Sequence, residues 1–148
     1  MAGAFTAAAT GGTAAAATPA QACADLTVIE ITNFAFSPPA VPAGNSSTAT
    51  LTALNCTNQT QQTSETWSGR FTGPSSGGIP AGCPAIDPIA FGVTFPPDGT
   101  VSHGVTYLVP AACTASELTV TADIYGANGH LLAEGTATLQ IVHDVPPS

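Results

Sequence analysis

The side chains able to do chemistry in this 148-residue chain are three histidines, nine carboxylates and four cysteines. A hydrolase needs a nucleophile, a base and an orienting group brought together. His103 lies between Val101 and Val105 on the apolar face of an alternating stretch, which reads as a core or rim histidine rather than a general base. His130 follows a Gly126-Ala-Asn-Gly129 turn and His143 precedes Asp144 in a proline-rich end, so both read as solvated. Two adjacent ligands, His143 and Asp144, are a poor start on a metal coordination sphere. The acids at Asp25, Glu30, Glu65, Asp87, Asp98, Glu117, Asp123, Glu134 and Asp144 are scattered. They form neither a glycosidase pair nor a calcium loop. Glu65 shares the parity of Trp67, but a buried carboxylate is costly without a partner. It is therefore expected near a strand end, in water. Gly73-Pro-Ser-Ser-Gly-Gly78 is not followed by Gly-Lys-Ser/Thr and so is not a phosphate loop. The sequence assigns no catalytic residue, no metal ligand and no cofactor.

Those residues hang on an unusual composition. Ala supplies 27 positions, Thr 22, Gly 15 and Pro 13, against one Arg and no Lys. At 44% hydrophobic residues the chain is too apolar for an acidic disordered tail. A net charge of −8 with a single cation argues against nucleic acid and against anionic lipid. No run of large apolar residues reaches the length of a membrane span.

Residues 1–22 read as the back half of a signal peptide or a flexible Ala/Thr leader, with Ala20-Gln21-Ala22 fitting a small-residue cleavage pattern. Residues 23–143 form one domain and 144–148 a tail. Within the domain, period-two alternation dominates and no helical stripe is sustained. The spacing predicts strands over Leu26–Thr32, Thr48–Cys56, Gln62–Thr72, Ile89–Phe95, Val101–Val109, Glu117–Tyr125 and Leu131–Val142. Ser37-Pro-Pro-Ala-Val-Pro-Ala-Gly44 is expected as a turn, and Gly73–Pro88 as a long connection. Threonine keeps a hydroxyl in water while suiting a pleated strand, which explains how so few charges suffice. Seven strands with frequent turn signals predict an all-β antiparallel sandwich. The lack of lysine leaves its edges without their commonest guard.

Strand order selects the cysteine pairing. If successive strands alternate in direction, Cys23 and Cys56 fall at one end while Cys83 and Cys113 fall at the other. Either other pairing bridges opposite ends, beyond the reach of a disulfide. Cys23–Cys56 and Cys83–Cys113 are therefore expected, each stabilising by on the order of 3–4 kcal/mol in the chain-entropy model. The spacings do not match zinc sites, and disulfides imply an oxidising compartment.

The segments Ser37–Gly44, Ala49-Thr-Leu-Thr-Ala-Leu-Asn55 and Leu118–Tyr125 through Leu139-Gln-Ile-Val142 resemble secreted bacterial immunoglobulin-like domains, the actinobacterial envelope and adhesion modules most. The resemblance covers about residues 25–142 and places Trp67 like the buried tryptophan of that family. It departs in lacking a cysteine within 118–125, where the family's inter-sheet bridge would sit. It implies a seven-stranded immunoglobulin-like β-sandwich on which fold alone carries no activity.

The expected function is a secreted, non-enzymatic binding or structural module of the cell envelope or extracellular space. Its partner would be a protein or envelope component, or a second copy joined through a strand edge. Contact residues would be Trp67 and, in the long connection, Gly77, Ile79 and Asp87. Trp67, Phe71, Phe91 and Phe95 have the parity of core aromatics. The alternative is a carrier of a small apolar molecule between the sheets, as in the enediyne-binding apoproteins. Those are similarly small, acidic and Thr/Ala/Gly-rich, though their cysteines close shorter loops. A small hydrolase using His103 is a further alternative.

Overall fold

Alternation of β-branched and small apolar residues favours strands, and the computed structural model forms them throughout residues 23–74 and 77–143, the residues it describes. Among these there are eight strands and no helix. They are β1 (Ile29–Ser37), β2 (Ala40–Pro42), β3 (Ser46–Asn55), β4 (Gln61–Thr72), β5 (Ile89–Phe95), β6 (Thr100–Leu108), β7 (Glu117–Gly126) and β8 (Leu131–Val142). One sheet has the order β1-β3-β6 and the other β2-β8-β7-β4-β5. All pairings are antiparallel except β2 with β8, which run parallel.

The two sheets face one another across a single core. Ala49, Leu51 and Ala53 of β3 share one buried cluster with Trp67 and Phe71 of β4 and with Leu118, Val120, Ala122 and Ile124 of β7. Two inward glycines make room for larger neighbours. A Cβ on Gly69 would meet Ile86, so the β4–β5 connection inserts an isoleucine there; one on Gly135 would meet Ile31 and Phe34 of β1. Through that gap Phe34 reaches Trp67 edge-on, centroids 5.0 Å apart. Asn55, fully buried, closes one end. Its Nδ2 donates to the carbonyls of Gln59 and Pro96, and its Oδ1 accepts from the Thr57 amide.

Cys23–Cys56 ties the entry to β1 to the end of β3, and Cys83–Cys113 ties the β4–β5 connection to the β6–β7 connection, the expected pairing. At Gly82 (φ +77) an added Cβ would lie 1.9 Å from the Ala112 carbonyl oxygen, so only glycine allows the two connections this approach. Both disulfides fit an oxidising compartment, and no helix among the described residues is long and apolar enough to cross a membrane.

Three expectations are corrected. The strand count is eight, because the proline-rich segment is not only a turn: Val41 points into the core, and Ala40–Pro42 pairs with Gln140–Val142. Proline is tolerated there because this is an edge. The fold is accordingly not wholly antiparallel. The first strand begins at Ile29 and runs to Ser37, while Leu26 is fully exposed in a left-handed turn at φ 69. The leader at 1–22 and the tail at 144–148, including Asp144, lie outside the described residues.

Candidate functional site

The two lateral sides of this pair of sheets are built differently. On one side the chain leaves β1 at Pro38, crosses to the other sheet and enters it as β2. There β1 carries a register irregularity between Ile31 and Asn33, and β2 is only 3 residues long and contains Pro42. Bulges, prolines and short strands are how edges are blunted against further pairing. The opposite side carries β5, 7 residues, and β6, 9 residues, each the outermost strand of its sheet. Neither contains Pro, Lys, Arg, Asp or Glu, and both pair with their inner neighbours without a register break. Their inward side chains Phe91, Val93, Val101, His103 and Val105 are only half-buried, although parity aims them at the core. This side is open.

At the back of the opening lies a polar cluster. Glu65, on β4, is completely buried. Its Oε1 accepts from the Trp67 indole Nε1 at 2.9 Å and lies 2.7 Å from Nε2 of His103 on β6. With Glu65 as carboxylate and Nε2 carrying a proton, one oxygen takes two donors, and charge assistance strengthens both. The imidazole packs against Phe91 edge-on at 5.2 Å and against Trp67 at 5.6 Å. The His103 side chain is 22% exposed, the only member of the triad that touches solvent. Glu65 Oε2 and His103 Nδ1 are buried and have no hydrogen-bond partner among the described residues. A carboxylate orienting an imidazole is half of a hydrolytic triad. Here the other ring nitrogen is enclosed and has no hydrogen-bond partner among the described residues, and the pair bridges the two sheets.

The expectation of a solvated Glu65 is thus corrected. It lies mid-strand and inward, and the partner that lowers the cost of burial is His103, supplied by the other sheet. His103 is the rim histidine its pattern suggested. Parity placed both residues inward, but only the register of β6 against β3 brings them together. Trp67, offered as a contact residue, is fully buried and cannot touch a partner directly. Gly77, Ile79 and Asp87 are exposed in the β4–β5 connection, whose Ile79 is 48% exposed. His130 is exposed, and His143 donates from Nε2 to the Ala115 carbonyl at 2.6 Å. One cluster of possible metal-ligand atoms, Cys23, Glu30 and Cys56, has both sulfurs joined in a disulfide, which withdraws them as thiolate ligands. On the outer face of the five-stranded sheet Asp123 and Glu134 stand opposite one another in register. A hydrogen bond to Asp123, then its charge, then slight desolvation hold the Glu134 carboxyl above its usual 4.5.

No protein-family model and no curated protein matches the sequence. Solved structures do match the fold. The ASH/PapD-like domain 7 of human CEP192 aligns with a TM-score of 0.53 at 12% identity, over 92% of this chain and 100% of that one. Pseudomonas fluorescens alkylpurine DNA glycosylase AlkC, bound to DNA containing an abasic site analog, aligns at 0.52 and 10% identity over 78% of this chain. Spo0M, the sporulation control protein of Bacillus subtilis, aligns at 0.50 and 13% identity, again over 78%. This chain spans 31% of the glycosylase chain and 50% of the Spo0M chain. At such identities the likeness is one of fold, and fold carries no activity with it.

Proposed function

We propose that this chain is a secreted, non-enzymatic immunoglobulin-like β-sandwich, an envelope or extracellular module of the actinobacterial type, which binds a protein or envelope partner through the side formed by β5 and β6. The observation that carries this reading is the asymmetry of the edges: one side is blunted by a bulge, a proline and a crossover, while the other offers two uncharged, unbroken strands. Unpaired backbone groups on such strands are a template for strand addition, and the half-buried residues between them supply apolar contact. The alignment with a PapD-like domain supports the sandwich, and two disulfides support an extracytoplasmic location.

The test is retention on envelope fractions of the native host. Thr94→Lys/Thr106→Lys places a charge on each open edge and is expected to abolish retention. Thr138→Lys, on the outer face of β8, leaves it intact. Loss of retention with Ile79→Asp alone would move the contact to the β4–β5 connection and overturn the edge reading.

A second reading, a carrier of a small ligand between the sheets, is favoured by one observation: Glu65 Oε2 and His103 Nδ1 are both buried behind the open side with no hydrogen-bond partner among the described residues. Native mass spectrometry of protein from its host would show a bound mass if it holds.

A further inference from the structure

Of the two open strands, β6 is built to pair with itself, and we propose that a second copy of this chain adds to it antiparallel about a two-fold axis at Gly104. The inference rests on the open-side reading and names one occupant for it. Three features of β6 support this. It is 9 residues long with Gly104 at its centre, and it is paired along that length with β3 from Leu108 opposite Ser46 to Thr100 opposite Leu54. It carries no carboxylate or fixed cation, so two chains of net charge −8 meet there without like charges side by side. Its outward side chains already form hydroxyl pairs with β3: Thr48 with Thr106 at 2.8 Å and Thr52 with Ser102 at 2.6 Å.

Centring the pairing on Gly104 sets Thr106 opposite Ser102 of the other copy and Leu108 opposite Thr100. Inward, His103 stands opposite Val105 and Val101 opposite Tyr107. Parity is conserved across the axis, so every inward residue stays inward. The hydroxyl pairs of the two copies then join into two symmetric rows, Thr48–Thr106 of each copy continuing into Ser102–Thr52 of the other. Leu108, 59% exposed in the single chain, gains a neighbour. Gly104 puts no side chain on the axis. The shorter β5 offers less: its outward residues are Ala90, Gly92 and Thr94, with a single side-chain bond, Thr94 to Gln62, to continue.

Sedimentation equilibrium of the full chain tests this. The expected result is a reversible species of twice the 14.6 kDa chain mass. Ser102→Lys/Thr106→Lys, which sets ammonium against ammonium across the axis, is expected to weaken association about tenfold, from two like-charged pairs. Ser102→Glu/Thr106→Lys, which sets opposite charges together only in this register, restores it, and Thr94→Lys on β5 leaves it unchanged. A chain monomeric up to its solubility limit overturns the proposal, as does equal weakening by both charge pairs. If the chain is monomeric yet the edge-charge variant still loses envelope retention, the open-side reading stands and only the second copy is excluded.

Discussion

His103 Nε2 lies 2.7 Å from Glu65 Oε1, an imidazole of one sheet bonded to a carboxylate of the other at the open side of the fold. Glu65 is fully enclosed, so the pair joins the sheets where no backbone ladder does. Removing one member of a buried pair strands the other. His103→Leu is therefore expected to destabilise by about 3–5 kcal/mol, whereas Glu65→Leu/His103→Leu recovers most of that loss. Urea unfolding of the three proteins measures it. A double variant no better than the single would show that the cost lies in packing alone.

Asp123 and Glu134 make a carboxylate pair whose energetics run the other way. The Glu134 carboxyl is raised above 4.5 chiefly by its hydrogen bond to Asp123. A raised folded-state value means that this group's contribution is fully present below the unfolded value of 4.5 and lost as pH rises through the folded one. At neutral pH the pair is repulsive. Glu134→Gln should raise the melting temperature at neutral pH, and the advantage should vanish as pH falls below about 4.5. Calorimetry across that window checks the sign.

Tyr107 is buried, and its hydroxyl has no partner among the described residues. Desolvation raises its ionisation above 10.0. Stability from this group is full below 10.0 and lost as pH climbs through the folded value. Tyr107→Phe leaves neutral-pH stability within about 1 kcal/mol, since it deletes an unsatisfied polar atom. It should also shift alkaline unfolding to higher pH, followed by circular dichroism.

The Cys83–Cys113 bond and Gly82 hold the same two connections together. Cys83→Ala/Cys113→Ala is expected to cost about 2–4 kcal/mol. Gly82→Ala costs stability even with the disulfide intact, because its Cβ meets the Ala112 carbonyl and the residue has φ +77. Thermal unfolding reads both. A Gly82→Ala protein as stable as the wild type would contradict the close approach.

Much of the fold was legible because alternation is strict where both faces are decided. Leu118, Val120, Ala122 and Ile124 are all fully buried, as their parity required, and β8 keeps the boundaries its pattern set. The disulfide pairing followed from strand direction. What alternation does not carry is which strands become edges. Ile89, Phe91 and Val93 have core parity but remain partly exposed, because β5 has no outer neighbour among the described residues. Val41 was hidden among prolines, which signal a turn locally while the parallel pairing with β8 arises only in three dimensions. Glu65 was misplaced for a related reason: its partner lies 38 residues away on the other sheet, and desolvation judged without that partner favours water.

Hydrogen–deuterium exchange on the full chain, alone and with envelope fractions of the native host, probes the open side most directly. Binding is predicted to slow exchange in residues 89–95 or 100–108 and to leave Ile29–Ser37 and Ala40–Pro42 unchanged. Protection confined to the blunted side, or to the connection before β5, would contradict the account.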